Sequence, residues 1–336
     1  MAGSQDHSLG MIEEVTYRTA PGAVTRWPEF IPDPDLAWAP TRRQGQGLRV
    51  GSFVARSGRR VTTSVQGSGG WEMECVSKGM GLFWKWALGS ATSTLVSAAT
   101  YQQVATLAAT QPSFVLQQGI VEAGGTTVDA GTFLGCMIAD WALTFATDDI
   151  VKVKYNLDIA DLTTATAYAA PTMPAATQSL FQFAGGVLTT GALTAPTATT
   201  LGIGGTAVTD VMGGTLAVNN NLNSIFPLGG GGKKSKPAVG LRTITGSLDV
   251  DYDSVTFRDA FIADTPLNLV LTWSAAALGV GLETLQVIVP EIKFDGDLPK
   301  TNGTNRPSQS MKFTGLDNLT AAQSIWVVTR TSDIAL

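Results

Sequence analysis

The stretch Gly69-Gly70-Trp71-Glu72-Met73-Glu74-Cys75-Val76-Ser77-Lys78-Gly79-Met80-Gly81-Leu82-Phe83-Trp84-Lys85-Trp86-Ala87-Leu88-Gly89 changes its apolar rhythm halfway. Trp71, Met73 and Cys75 alternate with Glu72 and Glu74, the period of a half-buried strand. Met80, Phe83, Trp84, Ala87 and Leu88 then recur at helical spacing. The expectation is a strand over 71–76 whose apolar side leans on a helix over about 78–88. Gly79 and Gly81 weaken that helix start, so packing must hold it. Leu82 and Trp86 flank the stripe and are core-edge residues or subunit contacts.

The same layout returns further on. Gly246-Ser247-Leu248-Asp249-Val250-Asp251-Tyr252 matches the strand position by position, and a helical pattern follows over 254–263. There Asp253 or Ser254 is placed to cap, and Phe257, Ala260 and Phe261 face inward. Trp141-Ala142-Leu143-Thr144-Phe145 resembles Pro290-Glu291-Ile292-Lys293-Phe294, and Val153–Tyr155 resembles Met311–Phe313. Three matches in one order predict a duplicated β-rich unit.

Around these landmarks, strand patterns cover 48–56, 60–66, 113–119, 132–146, 150–159, 180–189, 214–226, 241–252, 267–274, 284–295, 309–314 and 324–331. The fold expectation is mainly β: a duplicated sandwich or barrel unit, each copy with one short flanking helix. The boundaries are an extended N-terminal arm over 1–47, a first unit over 48–160, a linker over 161–179 and a second unit over 180–336. Pro21, Pro28, Pro32, Pro34 and Pro40 break up the arm, and Trp27, Phe30 and Trp38 are interleaved among them.

Composition narrows the function classes. Charged residues make up 15% of 336 residues, below the usual roughly 25%, which favours extensive subunit contact. The net charge of −5 argues against a general nucleic-acid binder, because phosphate neutralisation needs a basic footprint. It does not exclude a nucleic acid that passes without adhering. No apolar run reaches the ~20 residues of a membrane helix, and no signal-peptide layout opens the chain. Cys75 and Cys136 read as reduced core residues.

Catalytic chemistry finds little support. The single histidine, His7, removes histidine triads and most zinc or iron sites. Leu228–Ser235 imitates a phosphate loop, but Pro227 replaces the first glycine and Lys234 the magnesium-binding hydroxyl. It reads as a loop tip bearing Lys233, Lys234 and Lys236, beside Phe226. Gly202–Ala207 fits a dinucleotide fingerprint without its strand and helix. No cofactor is called for. The sets Glu72/Glu74 and Asp249/Asp251/Asp253 remain, each on one strand face. They are a solvated face, a repeated acidic lining, or, least favoured, a glycosidase dyad around Glu72. A carbohydrate-binding or decoration module, with Trp27, Trp38 and Trp86 as a stacking platform, is the competing binding role.

Taken together, Val61–Gln66, the Gly-Gly-acidic strand, the helix ending Trp86–Gly89, the Gly135–Tyr155 hairpin, Gly214–Leu222, Arg242–Asp253 and Asn268–Trp273 resemble the major tail tube proteins of long-tailed, non-contractile bacteriophages. The resemblance spans residues 45–335 and is one of layout. It implies a structural virion protein, assembled in the bacterial host's cytoplasm, whose sheets join into stacked rings through which DNA passes. It also implies tape measure and tail terminator proteins as partners. On that reading Glu72, Glu74, Asp249, Asp251 and Asp253 line the lumen. Trp27, Phe30, Trp38, Leu82, Trp86, Phe226, Lys233, Lys234 and Lys236 become contacts between subunits or rings. Two units per chain favour a trimeric ring of pseudo-sixfold symmetry, with a hexamer as the fallback.

Overall fold

Alternating apolar residues make strands throughout this chain, and how those strands pair decides its architecture. The computed structural model describes residues 6–31, 34–125, 127–173, 178–252, 255–296, 298 and 308–336. Its first half contains β1 (Ser8–Glu13), β2 (Asp35–Gln44), β3 (Arg60–Glu74), α1 (Gly81–Leu88), β4 (Gly89–Ser97), β5 (Thr100–Leu107), β6 (Phe114–Val121), β7 (Val128–Ala146), β8 (Lys152–Ile159) and β9 (Asp161–Thr163). The second half contains β10 (Gly186–Thr190), β11 (Thr206–Val208), β12 (Val211–Asn219), β13 (Leu222–Asn223), β14 (Ala238–Val239), β15 (Thr243–Asp251), α2 (Thr256–Ile262), β16 (Leu267–Ala277), β17 (Leu282–Phe294), β18 (Ser308–Gly315) and β19 (Trp326–Thr331). The molecule is mainly β.

The two halves repeat one antiparallel pairing scheme. β1–β6 recurs as β10–β16, β2–β3 as β12–β15, and β3–β8 as β15–β18. β6–β7 recurs as β16–β17, β7–β8 as β17–β18, and β7–β9 as β17–β19. In each set the helix follows the same strand, β3 or β15. The hairpin β4–β5 has no counterpart in the second half among the described residues.

Several boundaries move relative to the sequence reading. Strands β1 and β2 lie within the stretch expected to be an arm, and they are the first two strands of the first unit. Residues 8–11 are buried. β9 opens inside the expected linker. The 48–56 stretch, expected to be a strand, is irregular. Tyr155 faces Trp71 while Met311 faces Leu248, so Tyr155 corresponds to Met311, two residues from the expected Phe313. A two-residue shift keeps the same side chains on the same face.

Aromatic side chains fill the space between layers. Trp71 lies 5.0 Å from Tyr155, Trp84 lies 5.2 Å from Trp141, and Trp86 stacks on Phe114 at 4.4 Å between centroids. In the second half Phe257 meets Phe294 at 5.3 Å. Each large apolar side chain so buried contributes roughly 1.5–3 kcal/mol. β7 serves both layers: residues 128–136 pair with β6, and 137–144 pair with β8. Just before the change of partner Gly135 takes φ +64, where an added Cβ would stand 2.8 Å from Ala160.

The halves are also tied to each other by main chain. β7 pairs with β12, from Asp140 opposite Asn219 to Ala146 opposite Gly213. β5 pairs with β19, from Tyr101 opposite Thr331 to Thr106 opposite Trp326.

Candidate functional site: the polar sheet face

The pairing of β3, β8, β7, β12, β15 and β18 makes one continuous polar face. On β3, Trp71 and Met73 enter the core, while Glu72 and Glu74 stay half-buried on the opposite side. One row across the face reads Glu72, Lys154, Ala142, Ala217, Thr245 and Thr314. The next reads Glu74, Lys152, Thr144, Thr215, Ser247 and Lys312. Asp249 stands between Gly213 and Ser310, and Asp251 opposite Ser308. Asp253 lies outside the described residues.

The face is therefore one of small side chains with mixed charge. Glu72 and Glu74 have lysines directly opposite, an arrangement that favours pairing across strands. The lysines escaped notice in the sequence although the alternation Lys152-Val153-Lys154 carried the signal. Asp149, in the β7–β8 turn, bonds Lys152 Nζ at 2.7 Å. That bond holds the Asp149 carboxyl below its ordinary pKa and raises Lys152. Asn156 Nδ2 donates to Asp140 Oδ1 at 2.6 Å.

The contact candidates divide. Leu82 is half-buried against the core, and Trp27, Phe30 and Trp38 are also half-buried. Trp27 and Phe30 line a cavity of about 280 Å³ with Met73, Val76 and Phe83. Phe226, Lys233 and Lys236 reach the surface. Trp86 does not: it is 0% exposed. Its Nε1 donates to Glu13 Oε2 at 2.9 Å, beside Lys85 Nζ on Glu13 Oε1 at 2.7 Å. Strand β1, remote in sequence, covers the side of α1 that the helical stripe left open. Trp86 is thus a core residue, unfit both for subunit contact and for a sugar platform.

Lys234 also departs from expectation. Its side chain is 2% exposed and paired with Asp158, while Lys233 pairs with Asp161. Val65 N donates to Gly232 O at 2.9 Å, and Arg18 Nη1 to Lys234 O at 3.2 Å. The segment expected as a free basic tip is instead laid down on the first unit. Beneath it, Glu14 accepts from Ser113 Oγ at 2.6 Å, Gly135 N at 2.8 Å and Arg18 N at 3.0 Å. Burial raises the Glu14 carboxyl pKa against the pull of these donors.

Reactive chemistry is sparse. Cys75 and Cys136 are buried free thiols, and burial pushes both upward, away from the thiolate. Among the described residues no group of three or more His, Cys, Asp or Glu could hold a metal. No helix among them is long and apolar enough to cross a membrane. Glu72 and Glu74 project in parallel from one strand rather than flanking a space where a bond could sit.

No curated protein matches the chain. The family model described as phage tail tube protein matches residues 4–315. With the match running over nearly the whole of a mainly β chain, the protein belongs to the phage tail tube family and is a structural component of the virion tail.

Proposed function

We propose that copies of this chain join edge to edge into a ring, and that the polar face lines a lumen for double-stranded DNA. One observation carries the ring. Within the chain, β12 is paired on both sides, by β15 and by β7. Its counterpart β2 is paired only by β3 among the described residues. An open strand edge is a template for a further chain. The strand that fits is the counterpart of β7 in a second copy. Arg42 and Arg43 at the end of β2 discourage indiscriminate pairing.

Each chain then brings two equivalent units, and three chains close a ring of six. Rings stack into the tube, with tape measure and terminator proteins as further partners. On the lumen face Glu72 and Glu74 offset Lys152 and Lys154. DNA phosphates thus meet small, hydroxylated and balanced side chains with little net attraction. Electron microscopy of the purified protein should show tubes, with native mass spectrometry giving three chains per ring. Six full chains per ring would overturn the trimer, and a protein that stays monomeric under assembly conditions would overturn the ring.

A further inference from the structure

Residues 45–59 join β2 to β3 and present an unusual surface. Phe53 is 100% exposed, Leu48 and Val50 are equally bare, and Val54 is 81% exposed. Arg49, Arg56 and Arg59 are exposed among them, and none forms an ion pair with a described residue. Four bare apolar side chains on one loop mark a contact surface.

The duplication shows what such a loop does. Its counterpart is the 220–242 segment between β12 and β15. That segment grips the first unit beside the β7–β12 junction. It uses the Lys233–Asp161 and Lys234–Asp158 pairs, the Val65 to Gly232 bond, and Ser224 Oγ on Asp158 Oδ2 at 3.0 Å. Matching Trp71 to Leu248 puts Arg56 at the place of Lys233 and Arg59 at that of Lys236. Because Tyr155 faces Trp71 and Met311 faces Leu248, the same match puts Asp317 at the place of Asp161.

Asp317 has what a counterpart requires. It is exposed, accepts only Leu319 N at 2.9 Å, and has no cationic partner among the described residues. Leu316 and Leu319 flank it, the latter 91% exposed. Leu241, also exposed, precedes Ile244, the residue opposite Gly315. A carboxylate set among bare leucines faces the same end of the sheet as the arginine-bearing loop.

Resting on the ring reading above, we infer that loop 45–59 grips the 241 and 316–319 patch of the adjacent copy in the same ring, with Arg56 pairing to its Asp317. The grip within one chain is the template for the grip between chains.

Phe53→Cys combined with Leu319→Cys tests the placement, because Cys75 and Cys136 are buried out of reach of an oxidant. Assembled tubes, oxidised and run denatured without reductant, should give a covalent ladder that stops at the chain number of one ring. Each single variant should stay monomeric. A ladder running past the ring size would place the loop between rings and overturn the inference, as would tubes with no cross-link. Charge reversal gives an independent readout. Arg56→Asp and Asp317→Arg should each raise the concentration needed for assembly about tenfold through like-charge contact, and the two together should restore it. Failure of that rescue in tubes that otherwise form overturns the pairing. Unmodified protein that forms no tube would overturn the ring reading and this inference with it.

Discussion

Trp86 shows how one residue changes meaning when its surroundings are known. At helical spacing it stood beside the apolar stripe, core-edge by default and a candidate for subunit contact. Strand β1, about seventy positions earlier, supplies Glu13 to its indole nitrogen, and β6 supplies Phe114 to its ring. Trp86→Ala should therefore cost about 3–5 kcal/mol, read from urea unfolding, with no assembly defect beyond that loss. Glu14 is the complementary case, a carboxylate held inside by three donors. Its folded pKa lies above the ordinary 4.5, so the folded state binds the extra proton. The stability it contributes is full below the unfolded pKa and is lost as pH rises through the folded one. Glu14→Gln should flatten the fall in stability above about pH 4.5, measured by melts across pH 4–7. An unchanged slope would count against this assignment.

At the scale of elements, large alternating side chains were legible and small ones were not. β7, β8, β15, β16, β17 and β18 were foreseen because large apolar residues alternate along them, down to Met311 and Phe313 in β18. β4 and β5 consist largely of Ser, Thr, Ala and Gln, and only the pairing of β5 with β19 gives them a place. Residues 48–56 err in the opposite direction: their alternation reads as a strand, but no edge among the described residues receives it. The 220–242 segment is held in part by the pair of buried Lys234 with Asp158. Lys234→Ala would strand the Asp158 charge and should cost about 2–3 kcal/mol, less than a fully dry pair because Asp158 keeps some water. Hydrogen exchange offers a local readout: the Val65 amide, bonded to Gly232 O, should lose protection before the Tyr155 amide does.

For the whole molecule, the repeated pairing scheme matters more than any motif. It fixes which edges are open and which side chains share a face. The proposed lumen face can be tested with Glu72→Lys plus Glu74→Lys. Each new lysine would stand opposite Lys154 or Lys152, a like-charge contact costing roughly 0.2–1 kcal/mol. The protein should fold and assemble with a slightly lowered melting temperature, and DNA ejection should slow. Normal ejection rates from such tubes would show that this face is not the lining.

The sequence by itself determined the β class, both helices and the duplication, because period and order are local properties that survive drift in loop length. It also picked out Glu72, Glu74, Asp249 and Asp251 as one kind of residue, since alternation alone fixes which side of a strand they take. Only the tertiary structure decided what stands beside them. Lysines from β8 and β18 share the acidic face, β1 seals Trp86 inside, and Asp158 draws Lys234 out of solvent. Each of these depends on a partner far along the chain, and neither period nor composition records which strands will be neighbours.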